Sequence, residues 1–140
     1  TFDIDLALSQ SNDNPVYYIQ YAHARACSVR AKLAEHGWNW DTERGLAALA
    51  RLQEEQEKAL LKRLDQYPEV VEAAATASEP HTVANYLREL AAEFHSFYNA
   101  HKLLVDDTEL RDARIALSEA VRQVVANGLG LLGVNAPEAM

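Results

Sequence analysis

The chain has 140 residues, 49% of them apolar and 24% charged, which is enough for one compact domain with a real core. Its net charge of −8, with no Lys/Arg block, argues against non-specific binding to nucleic acid or to anionic membranes. A single cysteine, Cys27, excludes an internal disulfide framework and fits a reducing cytosol, and no apolar run approaches the ~18 residues of a membrane span.

The opening "TFDIDLALSQ" is neither a signal nor a transit peptide, and its start at Thr1 reads as a piece cut from a longer or processed protein. Asn14 and Pro15 suit the cap and first position of a helix over Pro15 to about Glu35, with Gly37 as its stop. That helix begins "NPVYYIQYAHAR". Its large side chains are aromatic with polar tips and fall on more than one face, unlike those of a helix that only fills a core. "GWNWDTERG" is a loop by composition, pinned to the core by Trp38 and Trp40. A second helix is expected from Leu46 to Gln66, with Leu49, Leu52, Ala59, Leu60, Leu61 and Leu64 inward and "QEEQEK" outward. "YPEVV" restarts a short helix at Pro68. After Glu79-Pro80, Val83, Leu87, Leu90, Phe94 and Phe97 follow a spacing of three and four. "NAHKLLVDD" then connects to a last helix, opened by Asp106 and Glu109 as a capping box and ended at Gly128. Its stripe is Leu110, Ala113, Leu117, Val121 and Val124, with Arg111 and Arg114 expected in salt bridges. The fold class is all-α, a single-domain bundle of about five helices over residues 1–140.

Familiar catalytic signatures are missing. "GLGLLG" matches the dinucleotide pattern G-x-G-x-x-G, but it follows a helix and too few residues remain for a βαβ unit, so it reads as a helix end with a tight tail. The five histidines include no pair at i, i+4 and no Glu-x-x-His, so no metal site is expected, and His95 and His101 are assigned to the surface or an edge. Cys27 fits a small core residue better than a nucleophile.

"SNDNPVYYIQYAHARACSV" closely resembles the start of the C-terminal anticodon-binding domain of bacterial arginyl-tRNA synthetases. "FDIDLALSQ" resembles that family's exit from its catalytic domain, and "FHSFYNAHKLL" through "LRDARIALSEAVRQVVANGLGLLGV" resembles its last two helices, of the DALR type. "NAPEAM" resembles its C-terminal Ala-Pro-Glu-x-Met. The resemblance implies the all-α anticodon-binding fold of a class I synthetase, preceded by a catalytic domain that uses ATP and Mg²⁺. This domain itself is expected to hold no cofactor and to catalyse nothing. The implied partners are the anticodon loop of tRNA(Arg) and the protein's own catalytic domain, in a cytoplasmic monomer without membrane contact.

By the same resemblance, the residues matching anticodon contacts are Tyr18, Tyr21 and Arg25 on the first helix, Tyr98 in the FYN motif, and the terminal Met140. Helical geometry agrees in part, because Tyr18, Tyr21 and Arg25 stand at i, i+3 and i+7. Tyr17, about 100° away from Tyr18, is expected in the core, and Gln20 and His23 are expected to hold helix contacts rather than bases. Stacking of unpaired bases on such side chains needs no net positive charge. Every arginine anticodon has C in the middle and G or U third, so the domain needs one selective pocket and a more tolerant neighbour. A rival reading, a helical adaptor that docks a partner helix on its tyrosine face, predicts peptide binding and indifference to RNA sequence.

Overall fold

The structure, a computed structural model, describes residues 14–140. The "FDIDLALSQ" segment lies outside the described residues. Helix α1 is Pro15–Glu35. The Asn14 side chain accepts from the amides of Val16 (3.0 Å) and Tyr17 (3.4 Å), and Pro15 occupies a position that needs no donor. Gly37, at φ +71°, ends the helix as expected, while the Trp38 amide bonds back to the Leu33 carbonyl. Then follow α2 (Thr42–Ala47), a 3₁₀ turn (Leu49–Arg51), α3 (Glu55–Asp65), α4 (Tyr67–Ala77), α5 (His81–Ala100) and α6 (Thr108–Leu131). The described residues contain no strand, and the fold is the expected all-α bundle with six helices.

The extra helix arises where one long helix was expected between Leu46 and Gln66. No glycine or proline interrupts that stretch, yet the chain turns at Leu52, which is buried, and the Glu54 amide starts α3 by donating to the Glu57 carboxylate at 3.0 Å. Trp38 and Trp40 do pin the preceding connection: the Trp40 indole donates to the Asp112 carbonyl at 3.1 Å, and the Arg111 guanidinium lies 3.8 Å over the Trp38 ring. Gly45 lets α2 come close to α6, since a Cβ there would stand 2.9 Å from the Asp112 carbonyl oxygen and 2.9 Å from the Ala116 methyl.

The core is built on α5 and α6. Val83, Leu87, Leu90, Phe94 and Phe97 are all buried, as their spacing predicted, against Ala113, Leu117, Val121, Val125 and Leu129. Several expectations for α6 need correction. Its cap is Asp107, which accepts from the Leu110 amide at 3.3 Å, rather than Asp106. It runs through Gly128, where a Cβ would meet Leu87 at 2.7 Å, and Gly133 (φ +73°) follows it in the tail. All residues from 111 to 119 are buried, because α1, α2, α3 and α5 pack around this helix, so its apolar stripe is wider than an amphipathic pattern shows; Val124 is only half-buried.

The charged residues of this central helix are paired or covered. Arg114 forms the expected salt bridge, 2.8 Å from a fully buried Glu57. Glu57 therefore faces inward, against the outward reading of "QEEQEK", while Ala59 faces solvent. Arg111, expected in a salt bridge, makes no ion pair among the described residues; it donates to the Val105 carbonyl at 2.9 Å and covers Trp38.

Candidate functional site

The outer face of α1 meets the end of α5 and the last seven residues of the chain. After α6 the tail returns across α1, with Val134 and Ala136 packed on the core. Gln20 and His23 hold it there. The Gln20 amide donates to the Asn135 carbonyl (3.0 Å) and side-chain oxygen (3.2 Å), and the buried His23 donates from Nδ1 to the Pro137 carbonyl at 2.7 Å. Both residues thus serve α1 contacts, as their types suggested.

The tail completes a cleft of about 310 Å³ lined by Tyr21, Ala24, Arg25, Ser28, Lys32, Tyr98 and residues 138–140. Four of the five expected site residues, Tyr21, Arg25, Tyr98 and Met140, are brought together in it. The Arg25 guanidinium lies between two aromatic faces, 4.6 Å from the Tyr21 centroid and 4.5 Å from that of Tyr98. Met140 is 50% exposed.

Tyr18 falls elsewhere. Its ring packs partly against the core and lies 4.6 Å from the His95 ring, behind the cleft wall. Tyr17, expected in the core, is only half-buried and stacks on Tyr21 at 6.2 Å. Both tyrosines are half-buried, and α5 packs against α1 on the Tyr18 side, where the Tyr18 ring meets His95.

His95 is the organiser that sequence reasoning missed, since it is buried and not at the surface. Arg25 donates to its Nδ1 at 3.0 Å, which leaves Nε2–H to donate to the Tyr18 carbonyl at 3.2 Å, and its ring stacks 5.3 Å from Tyr21. Burial pushes the His95 pKa below the usual imidazole value, and the Arg25 charge adds to that shift against the Tyr18 hydrogen bond. The imidazole is therefore kept neutral, with a lone pair available to orient Arg25.

Burial alone would push the Tyr98 phenol up. The hydrogen bond from Lys32 (2.9 Å) and the nearby Ser28 hydroxyl, with the charges of Lys32 and Arg25, outweigh it and hold its pKa below the usual tyrosine value. Ser28 and Lys32 carried a signal after all, because 21, 25, 28 and 32 continue one helical stripe. An adjoining cavity of about 280 Å³ shares Lys32 and Tyr98 and has an apolar floor of Val29, Leu103 and Leu104. Burial raises the Cys27 thiol pKa, which disfavours the thiolate.

The model of the DALR anticodon binding domain family matches residues 19–140. The chain belongs to that family. This DALR domain is 60% identical over 139 residues to arginine–tRNA ligases of Thioalkalivibrio sulfidiphilus and Halorhodospira halophila, matching 99% of its own length and 24% of theirs. It also superposes on Thermus thermophilus arginyl-tRNA synthetase with a TM-score of 0.78 and 34% identity, over 99% of this chain and 23% of that one. The DALR domain thus spans about a quarter of the length of the curated relatives it matches.

Proposed function

We propose that this DALR domain reads the anticodon of tRNA(Arg) within an arginine–tRNA ligase. The observation that carries the reading is the cleft, in which aromatic rings, a guanidinium and the terminal Met140 converge from α1, α5 and the tail. Apart from its bond to His95, the Arg25 guanidinium makes no hydrogen bond with the described residues, so its other N–H groups can meet the edge of a base. Rings and thioether supply apolar surface to a base taken out of its stack. The middle cytosine enters this cleft, and the adjoining apolar cavity takes the neighbouring base with less selectivity. Tyr18 stands outside this lining and holds its ring 4.6 Å from that of His95.

The relatives' name supports a whole protein that joins arginine to its tRNA; that it does so with ATP and Mg²⁺, in the cytoplasm, as a monomer and through a catalytic domain linked to this one, is what the sequence resemblance adds to the proposal. No helix among the described residues is long and apolar enough to cross a membrane, and they include no group of three or more His, Cys, Asp or Glu able to hold a metal ion.

Aminoacylation of tRNA variants by the full-length protein tests the reading. A pocket that hydrogen-bonds one base leaves polar groups unpaired when another enters, and such vacancies are costly. Changing the middle C to A or U should therefore impair kcat/KM far more than exchanging G and U at the third position. Equal tolerance at both positions would return the cleft to the adaptor reading.

A further inference from the structure

We propose that the Glu138 carboxylate accepts a hydrogen bond from the exocyclic amino group of the middle cytosine, and that Gln20 and His23 are the positioning residues that put it there. The inference rests on the anticodon reading above and names the group that tells cytosine from uracil.

Three observations carry it. Glu138 lines the same cleft as Arg25, so the pocket holds an acceptor and a donor together. Among the described residues Glu138 makes no hydrogen bond or ion pair, although it shares the cleft with Arg25 and Lys32. The peptide group leading into it is fixed on both sides: His23 holds the Pro137 carbonyl at 2.7 Å, and the proline ring limits the backbone just before Glu138. Gln20 ties Asn135 two residues earlier through two hydrogen bonds.

Cytosine and uracil are distinguished by this chemistry. The cytosine edge presents an amino donor beside two acceptors, whereas uracil presents an oxygen where the amino group stood. A carboxylate accepts from the cytosine amino group, as acidic side chains do in direct base readout. It repels the uracil oxygen. Arg25 supplies donors to the remaining acceptors, and the pair matches only cytosine among the pyrimidines. Met140, which has no polar hydrogen, contributes contact without selectivity.

The test compares aminoacylation of tRNA bearing C or U at the middle position by the full-length protein and its variants. Glu138→Ala should lower the preference for C over U by about tenfold or more, the range of one good base-edge contact. Glu138→Gln should retain part of it, because its amide oxygen still accepts. Gln20→Ala, a change at a half-buried residue outside the core, should reduce the same preference and add little in a Glu138→Ala background. His23→Ala should do likewise, and His23→Gln, which keeps a donor, should restore it partly. Thermal melting of each variant separates misfolding from lost selectivity. A wild-type protein with no preference for C would overturn the anticodon reading itself. A wild-type preference that survives Glu138→Ala would overturn the assignment of Glu138 alone. Full additivity of Gln20→Ala with Glu138→Ala would remove the positioning role.

Discussion

Tyr21 touches Tyr17, Arg25 and His95 at once, yet it stands outside the hydrophobic core cluster. Tyr21→Ala should therefore weaken use of tRNA by about 1–3 kcal/mol, the worth of one stacking platform. Thermal stability should change little. Measuring kcat/KM beside a melting curve checks both halves, and a large stability loss with unchanged aminoacylation would make Tyr21 a packing residue. His95 behaves differently because burial disfavours its charged form. Its folded pKa lies below the unfolded value, so the unfolded chain takes up a proton first as pH falls. The stability tied to neutral His95 is complete above about pH 6.5, the unfolded imidazole value, and is lost as pH falls toward and through the folded value. Melting curves between about pH 8 and pH 5 should fall more steeply for the wild type than for His95→Gln. Parallel curves would mean that His95 does not titrate against folding.

Between elements, the ion pair of α3 and α6 is the most exacting contact. Glu57 is fully buried, accepts from the Glu54 amide, and faces Arg114, which also donates to the Lys102 carbonyl at 2.7 Å. Three segments are thus joined by two side chains. Arg114→Leu leaves a buried carboxylate without its cation, which should cost about 3–5 kcal/mol in denaturant unfolding. Replacing both residues with leucine should recover much of that loss, since an apolar pair leaves no orphaned charge. A double variant no more stable than the single one would point to the capping of α3 as the larger contribution. The inward position of Glu57 was open to a closer reading of the sequence. Residues 57, 60, 61 and 64 form one helical stripe, and only the polarity of glutamate argued for the other face.

On the scale of the whole molecule, an acidic domain that binds RNA through a few bases should show little counterion release. The cleft offers Arg25 and Lys32 as cations within a chain of net charge −8. With Arg25 turned to the base, Lys32 is left for phosphate, and binding of an anticodon stem-loop should weaken with salt at a logarithmic slope of only about −1, as expected for one phosphate contact to a single strand. A filter-binding or fluorescence titration across salt concentrations measures it. A much steeper slope would mean that phosphates, and not the cleft, dominate the interaction.

The sequence by itself determined the all-α class, α1, the α5 stripe and the family, because helix periodicity, caps and motif spacing are local properties of the chain, but it did not show the break between α2 and α3. The family resemblance also singled out Tyr21, Arg25, Tyr98 and Met140, which line one cleft. Only the tertiary structure decided that Tyr18 turns toward His95 while Tyr17 stacks outside, that α6 is buried along both sides, and that Glu138 enters the cleft. Each of these depends on which neighbour covers a given face. The deciding contacts join residues far apart in sequence, such as Arg25 with His95 and His23 with Pro137, and periodicity along one helix carries no record of such partners.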